Sequence, residues 1–162
     1  MPLIDTQNLF SDAQAVTGNE ISDNVIDLLP QAQLGSSGHL NAIRDIGAGS
    51  PLYLFIVVTT TMDSTEETAT LDVTLESDST PGLETSATVH WTSELVIAEA
   101  TLVAGYWIAK GVPLPPGNYE RYLGLRYNPA TADFTTGKIT AWLSTERFDE
   151  RTYEAGSRSG IN

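Results

Sequence analysis

A two-residue alternation of apolar and polar side chains recurs along the chain and constrains its fold more than any other feature. In the segment 70–76, Leu71, Val73 and Leu75 alternate with polar residues. The same alternation recurs in two later segments, 121–127 and 138–145. Successive side chains of a β-strand point to opposite faces of its sheet, so this pattern predicts strands with one buried and one polar face.

A continuous apolar run at 52–58 adds a strand of a different kind. It has no polar face and is rich in β-branched residues, which favours a central strand covered on both sides. The segment 94–104 has apolar residues at both helical and strand spacings, and we predict that it is mostly extended. About eight strands are expected in all, a number typical of a two-sheet sandwich or a barrel. The candidates are 13–17, 20–28, 52–58, 70–76, 88–91, 106–109, 121–127 and 138–145.

The length of 162 residues suits one domain. We predict a sandwich domain over residues 1–145 that includes an irregular N-terminal arm of about residues 1–12. A polar tail over residues 146–162 has too little apolar content to fold by itself. The apolar residues of the arm either contact a partner or pair as an edge strand within the same sandwich, and both interpretations stay open.

The charge balance narrows the partners. The chain carries 21 acidic and 8 basic residues, a net charge of −13, which disfavours nucleic acid and anionic membranes as ligands. Residues 1–109 hold 15 acidic groups and one basic group, whereas residues 110–162 hold six and seven. This uneven distribution has two interpretations: the acidic part keeps the protein soluble, or the near-neutral C-terminal third contacts a partner. The two interpretations are compatible. No apolar run of about 18 residues and no signal-like beginning are present, so we expect a soluble protein that is made and used inside a cell or as part of an assembly.

Catalytic and metal-binding patterns are missing from the sequence. There is no cysteine, and nothing in the sequence ties either histidine, His39 or His90, to a serine as a catalytic triad requires. The acidic segment 63–67 lacks the spacing of a calcium loop, and Gly47 and Gly49 fit turn positions better than a phosphate-binding loop. The sequence therefore predicts no enzyme, no cofactor and no metal site.

Aromatic residues on nominally polar strand faces point instead to an interaction surface. Trp142 lies among polar residues of its strand, and Tyr122 shares a face with Arg126. Either a second layer of the same chain covers these faces, or they contact a partner.

Several blocks of the sequence resemble the cement (decoration) proteins of tailed bacteriophages, in the group known from a Bordetella phage. They follow the order of that family from about residue 9 to residue 145, whereas the loop 30–43 and the tail after residue 145 depart from its pattern. The blocks are 12–17, 24–28, 44–54, 102–106, 114–117, 120–127 and 134–139.

The resemblance implies an all-β, jelly-roll-like two-sheet β-sandwich without catalytic residues. It further implies a structural virion protein, made in the bacterial host cytoplasm, that binds the outer surface of an icosahedral head. There it would stabilise contacts between subunits of an HK97-type major capsid protein as a homo-oligomer, with a dimer as first choice and a trimer as second. The alternative is a carbohydrate-binding β-sandwich of a phage surface or fibre protein, with Trp142, Tyr122 and Tyr119 as sugar-stacking residues.

On this interpretation, the arm, the aromatic strand positions and the tail supply the contacts with the capsid or with neighbouring subunits. Arginines of the tail can pair bidentately with carboxylates, and its aromatic side chains can fill apolar pockets. The predicted contact residues are Leu3, Ile4, Phe10, Tyr122, Arg126, Trp142, Arg147, Phe148, Arg151, Tyr153 and Arg158.

Overall fold

The computed structural model describes residues 4, 6–28, 51–84, 86–93 and 96–147, and these residues form ten β-strands and two single-turn 3-10 helices. The 3-10 helices are Thr6–Asn8 and Glu99–Thr101. The strands are β1 (Leu9–Ala15), β2 (Glu20–Ile21), β3 (Ile26–Asp27), β4 (Tyr53–Asp63), β5 (Thr70–Asp78), β6 (Thr88–Thr92), β7 (Ile97–Ala98), β8 (Trp107–Pro113), β9 (Tyr122–Ala130) and β10 (Thr136–Ser144). Across these described ranges, the structure has no helix of the length and apolarity that a membrane crossing requires.

The strands form two antiparallel sheets that pack as a sandwich. One sheet has the order β1-β10-β4-β8, and the other follows the path β2-β9-β5-β6, with β3 beside β9 and β7 beside β5. Because β2 and β3 both pair with β9, they act as one interrupted strand. If β2 and β3 are counted as one strand and the two-residue β7 is left out, eight strands remain, and their order in the two sheets is that of a jelly roll. The predicted all-β, jelly-roll-like sandwich is confirmed.

The core lies between the sheets and is built from the alternating positions that the sequence marked. On β5, Leu71, Val73 and Leu75 are fully buried. The inward residues of β9 and β10 complete the core: Leu123, Leu125, Tyr127, Ile139, Ala141 and Leu143. Most outward positions of the same strands carry polar or charged residues, although Tyr122 and Trp142 also point outward, and the alternation therefore reports the two faces of each sheet.

The apolar run at 52–58 falls within β4, which lies between β10 and β8 in the four-stranded sheet. Its residues Leu54, Ile56 and Val58 point into the core. Phe55 is equally buried although it lies on the outward face of the sheet. This central, doubly covered position is the one predicted for the run.

The N-terminal strand differs from the prediction. It begins at Leu9, not at residue 13, so part of the predicted irregular arm is an edge strand paired with β10. Two register shifts interrupt this pairing, and consequently Phe10, Ser11 and Gln14 are all buried without a two-residue period. The Ser11 hydroxyl contacts the Tyr127 hydroxyl at 2.8 Å and donates to the Gln14 amide oxygen at 2.6 Å. A bulged strand of this kind is invisible to a search for alternation.

The ambiguous segment 94–104 contains less strand than expected. Of its described residues, Ile97 and Ala98 form β7, and the 3-10 helix Glu99–Thr101 follows directly. Glu99 accepts hydrogen bonds from the Ser64 amide at 2.8 Å and the Ser64 hydroxyl at 2.5 Å. Those bonds lower the pKa of Glu99 despite its burial, and they fix the helix to the turn after β4.

Candidate interaction site

The predicted contact residues do not form one surface. Trp142 lies on the outward face of the four-stranded sheet, whereas Tyr122 and Arg126 lie on the outward face of the six-stranded sheet, across the core. Phe10 is fully buried in the core, and Ile4 is 39% exposed. Five predicted residues lie outside the described part of the chain: Leu3, Phe148, Arg151, Tyr153 and Arg158.

Three aromatic rings form a cluster on the outward face of the four-stranded sheet. Phe55 of β4 lies opposite Trp142 of β10, and their rings stack with centroids 5.4 Å apart and an interplanar angle of 11°. Trp107 of β8 meets Phe55 edge-on at 6.2 Å and Trp142 edge-on at 6.0 Å. We call Phe55, Trp107 and Trp142 the aromatic cluster. Such geometries add roughly 1 kcal/mol per pair beyond the burial of apolar area.

Two basic side chains lie beside the aromatic cluster, and a third lies further along the same face of the sheet. The Lys110 ammonium lies 5.5 Å from the centroid of the Trp107 ring, a cation–π distance. Arg147 lies beside Gly111, where a Cβ atom would come within 3.3 Å of its Cγ and 3.5 Å of the Phe55 ring. Lys138 is exposed on the same strand face as Trp142. Of the predicted contact residues, Trp142 and Arg147 are thus brought to one site. The sequence did not predict the other members of this site, which are Phe55, Trp107, Lys110 and Lys138.

The opposite face of the sandwich is covered by a second layer of the same chain. The segment 79–84, which follows β5, places Leu83, fully buried, against Gly124 of β9, where a Cβ atom would lie only 2.6 Å from the Leu83 Cδ1 atom. Arg126 holds this loop, because its guanidinium donates to the Leu83 carbonyl and to the Glu76 carboxylate at 3.0 Å. For Arg126, the structure therefore favours an internal role. Tyr122 is half-buried, and the Cζ atom of the Arg121 guanidinium lies 4.8 Å from the centroid of the Tyr122 ring.

Asp78 anchors the same loop. Its buried carboxylate accepts hydrogen bonds from the Ser79 amide at 2.6 Å, the Glu84 amide at 3.0 Å and the Ser86 hydroxyl at 3.1 Å. Burial raises the pKa of Asp78, but the hydrogen bonds from Ser86, Ser79 and Thr80 outweigh it, and the pKa lies below its usual value. An aspartate before Ser-Thr-Pro-Gly is a turn signal in the sequence, but acids in turns are ordinarily solvated, and only the structure shows that Asp78 is buried and holds the turn.

A shallow concavity of about 410 Å³ opens beside this loop. Its polar lining is dominated by the Arg126–Glu76 ion pair, whose members already satisfy each other. The lining residues are Glu76, Gly82, Leu83, Glu84, Ala87 and Arg126. The concavity therefore offers a ligand little unpaired hydrogen-bonding capacity.

A serine does contact one of the histidines, contrary to the expectation from the sequence. Ser77 Oγ lies 2.7 Å from His90 Nε2, and it also accepts a hydrogen bond from the Glu120 amide at 3.0 Å. Burial lowers the pKa of His90, opposed by the charge of Glu120. Ser77 is fully buried, however, so its hydroxyl cannot meet a substrate. The pair joins β5 and β6 to the segment before β9 and is structural.

The aromatic residues considered for sugar stacking are engaged within the chain. Tyr119 stacks on His90 with centroids 4.0 Å apart, and its hydroxyl donates to the Pro115 carbonyl at 2.5 Å. Burial raises the pKa of Tyr119. Trp142 is only 6% exposed within the aromatic cluster. Among the described residues, no three histidine, aspartate or glutamate side chains converge as metal ligands would.

Comparison with known proteins gives one family. The family model described as Bbp16, a name that suggests a Bordetella phage protein, matches residues 10–143. That span runs from the second residue of β1 to the penultimate residue of β10. No match was found among curated proteins.

Proposed function

The chain belongs to the Bbp16 family, and from this premise we propose that it is a structural virion protein of a tailed bacteriophage. In this role it binds the outside of an icosahedral head and stabilises contacts between subunits of an HK97-type major capsid protein. The observation that carries the proposal is the family match, which spans both sheets of the sandwich.

Two properties of the described chain support a binding role without chemistry. The serine–histidine pair is closed to substrate because Ser77 is fully buried. The outward face of the four-stranded sheet, by contrast, combines tryptophan with lysine and arginine, and interfaces are enriched in tryptophan and arginine. A head protein present in many copies gains from weak contacts of this kind, because anything that binds only the assembled shell stabilises it.

The proposal is tested on purified particles of the phage that encodes this chain. We expect mass spectrometry to detect the protein in virions and image reconstruction to place it on the outer surface. Heads assembled without it are expected to break at a lower temperature, and addition of the purified protein is expected to restore the wild-type value. Virions that lack the protein, or unchanged head stability without it, would refute the proposal.

The C-terminal residues provide a second test of the proposal. Removal of residues 148–162 leaves every described strand in place, so we expect an unchanged far-ultraviolet circular dichroism spectrum. Retention of the truncated protein on heads is expected to fall, because the removed segment carries Arg151 and Arg158. Equal retention of truncated and full-length protein would exclude a role of this segment in attachment.

The alternative of a carbohydrate-binding module is separated from this function by a glycan screen on the isolated protein. A cement protein is expected to bind no glycan. Specific glycan binding together with absence from the head would favour the alternative.

A further inference from the structure

Charged side chains are divided between the two outward faces of the sandwich. On β5, Asp72 is half-buried on the outward face of the six-stranded sheet, whereas Glu76 and Asp78 on that face are buried, Glu76 against Arg126 and Asp78 against the loop that follows β5. The lysines of the described strands, by contrast, both lie on the four-stranded sheet, Lys110 on β8 and Lys138 on β10. The acidic residues of that sheet's strands are Asp12 on the edge strand β1 and Asp63 at the end of β4, opposite Thr136 and thus near Lys138.

The lysines and Arg147 lie around an aromatic centre. Trp107 is half-buried at the edge of the sheet, and its ring contacts both Phe55 and Trp142. In the described part of the chain, Lys138 and Arg147 are exposed and form no ion pair, although Glu146 precedes Arg147. Arg121 and Arg126, on the other sheet, are each paired with a carboxylate. A half-buried tryptophan in a cluster bordered by an unpaired arginine matches the tryptophan and arginine enrichment of protein-binding hot spots, and Lys138 adds an unpaired cation on the same face.

We propose that the outward face of the four-stranded sheet, with Trp107, Lys138 and Arg147, is the docking face and that its partner is an acidic protein surface. This inference rests on the proposed function and adds to it the side of the sandwich that faces the shell and the charge of the surface it meets. The outward face of the six-stranded sheet then points away from the shell. The partner supplies carboxylates to Lys138 and Arg147 and an apolar contact to the exposed part of Trp107.

Two other occupants fit the observations less well. Carboxylates on the six-stranded sheet of a second copy also complement Lys138 and Arg147, but that contact is head-to-tail and does not close, so it would produce open chains of subunits. The net charge of −13 also opposes such stacking. Single-stranded nucleic acid needs open aromatic faces for base stacking, whereas Phe55 and Trp142 stack on each other and are buried.

The test measures binding of charge-reversed variants to heads assembled without the protein. We prepare Lys138→Glu, Arg147→Glu and the double variant, with Arg121→Glu as the matched control. Arg121 is exposed on the opposite face, and its reversal changes the net charge by the same amount as each single variant. Circular dichroism establishes that all four variants are folded. Dissociation constants come from co-sedimentation at two salt concentrations.

We expect Lys138→Glu and Arg147→Glu each to weaken binding about fivefold and the double variant about 25-fold, since independent charge contacts add in free energy. Arg121→Glu is expected to change the dissociation constant by less than about twofold. Added salt is expected to weaken wild-type binding more than binding of the double variant.

Each alternative outcome has a separate meaning. If the wild type binds heads and the double variant binds equally well, the docking face is wrong and the proposed function stands. If the wild type does not bind heads at all, the proposed function itself fails. Self-association of the wild type that the double variant abolishes, or binding of a single-stranded oligonucleotide, would assign the face to one of the other occupants and overturn the proposal.

Discussion

Gly137, near the start of the central strand β10, is the position where a single methyl group is expected to cost the most. Its φ of +140° lies in a region that side chains rarely adopt, which costs an alanine about 1–3 kcal/mol. A Cβ atom there would lie 2.7 Å from the Met62 Cγ atom and 3.0 Å from the Met62 Cα atom. Because the Cα atom belongs to the paired strand β4, it cannot move without the sheet, and such overpacking costs roughly another 1–3 kcal/mol. We expect Gly137→Ala to lower the free energy of unfolding by about 4 kcal/mol.

Two other glycines separate the causes of this loss. Gly105 has a φ of +90°, but a methyl group added there would meet nothing within 4 Å, so Gly105→Ala carries the backbone cost alone, about 1–2 kcal/mol. Gly18 lies outside the strained φ range and also has open space around it. Gly18→Ala is therefore expected to stabilise by about 0.5 kcal/mol, because it restricts the unfolded chain.

Urea unfolding followed by tryptophan fluorescence measures all three variants. With a slope of about 2 kcal/mol/M, the midpoint is expected to fall by about 2 M for Gly137→Ala and by less than about 1 M for Gly105→Ala. Equal midpoints for these two variants, with unchanged slopes, would show that Met62 moves aside without cost and would refute the steric reasoning. A destabilised Gly18→Ala would refute the backbone reasoning.

Three further predictions concern charged groups of the six-stranded sheet. Arg126→Met leaves the buried carboxylate of Glu76 without its ion-pair partner, and we expect it to lower the free energy of unfolding in urea by about 2 kcal/mol. Arg121→Met breaks an exposed ion pair and should lower it by less than about 1 kcal/mol. Equal losses for the two variants would contradict the internal role of Arg126. Because the pKa of Asp78 is lowered in the folded state, Asp78→Asn should be less stable than wild type at neutral pH. The difference in the free energy of unfolding between the two proteins should close as the pH falls through that lowered pKa. A difference that stays constant with pH would argue against Asp78 as the anchor of the loop. Because the pKa of His90 is also lowered, the folded state binds fewer protons than the unfolded state, and the wild type should lose stability below about pH 6.5. His90→Phe should lose less over that range in thermal unfolding, and parallel profiles would refute this linkage.

The periodic part of the fold could be read from the sequence. Leu71, Val73 and Leu75 alternate with polar neighbours, and only a strand with one buried face suits that order. The apolar run containing Ile56 identified the central strand for a similar local reason. The strand containing Phe10 could not be found in this way, because its register shifts depend on the partner strand β10.

The candidate site depended far more on the tertiary structure. The sequence marked Trp142 as an aromatic residue on a polar face, but it left open whether the chain itself or a partner covers that face. Phe55 and Trp107 lie far from Trp142 in sequence, and the pairing of β4 with both β10 and β8 is what brings the three rings together.

The sequence by itself determined the regularly alternating strands with their inward faces, the central apolar strand and the excess of negative charge, because these follow from the order and the number of side-chain types along the chain. Only the tertiary structure decided which outward face carries the aromatic cluster with Lys138 and Arg147, since sheet membership is set by long-range pairing. It also decided that Arg126 serves the chain internally, because the loop that carries Leu83 folds back over its strand.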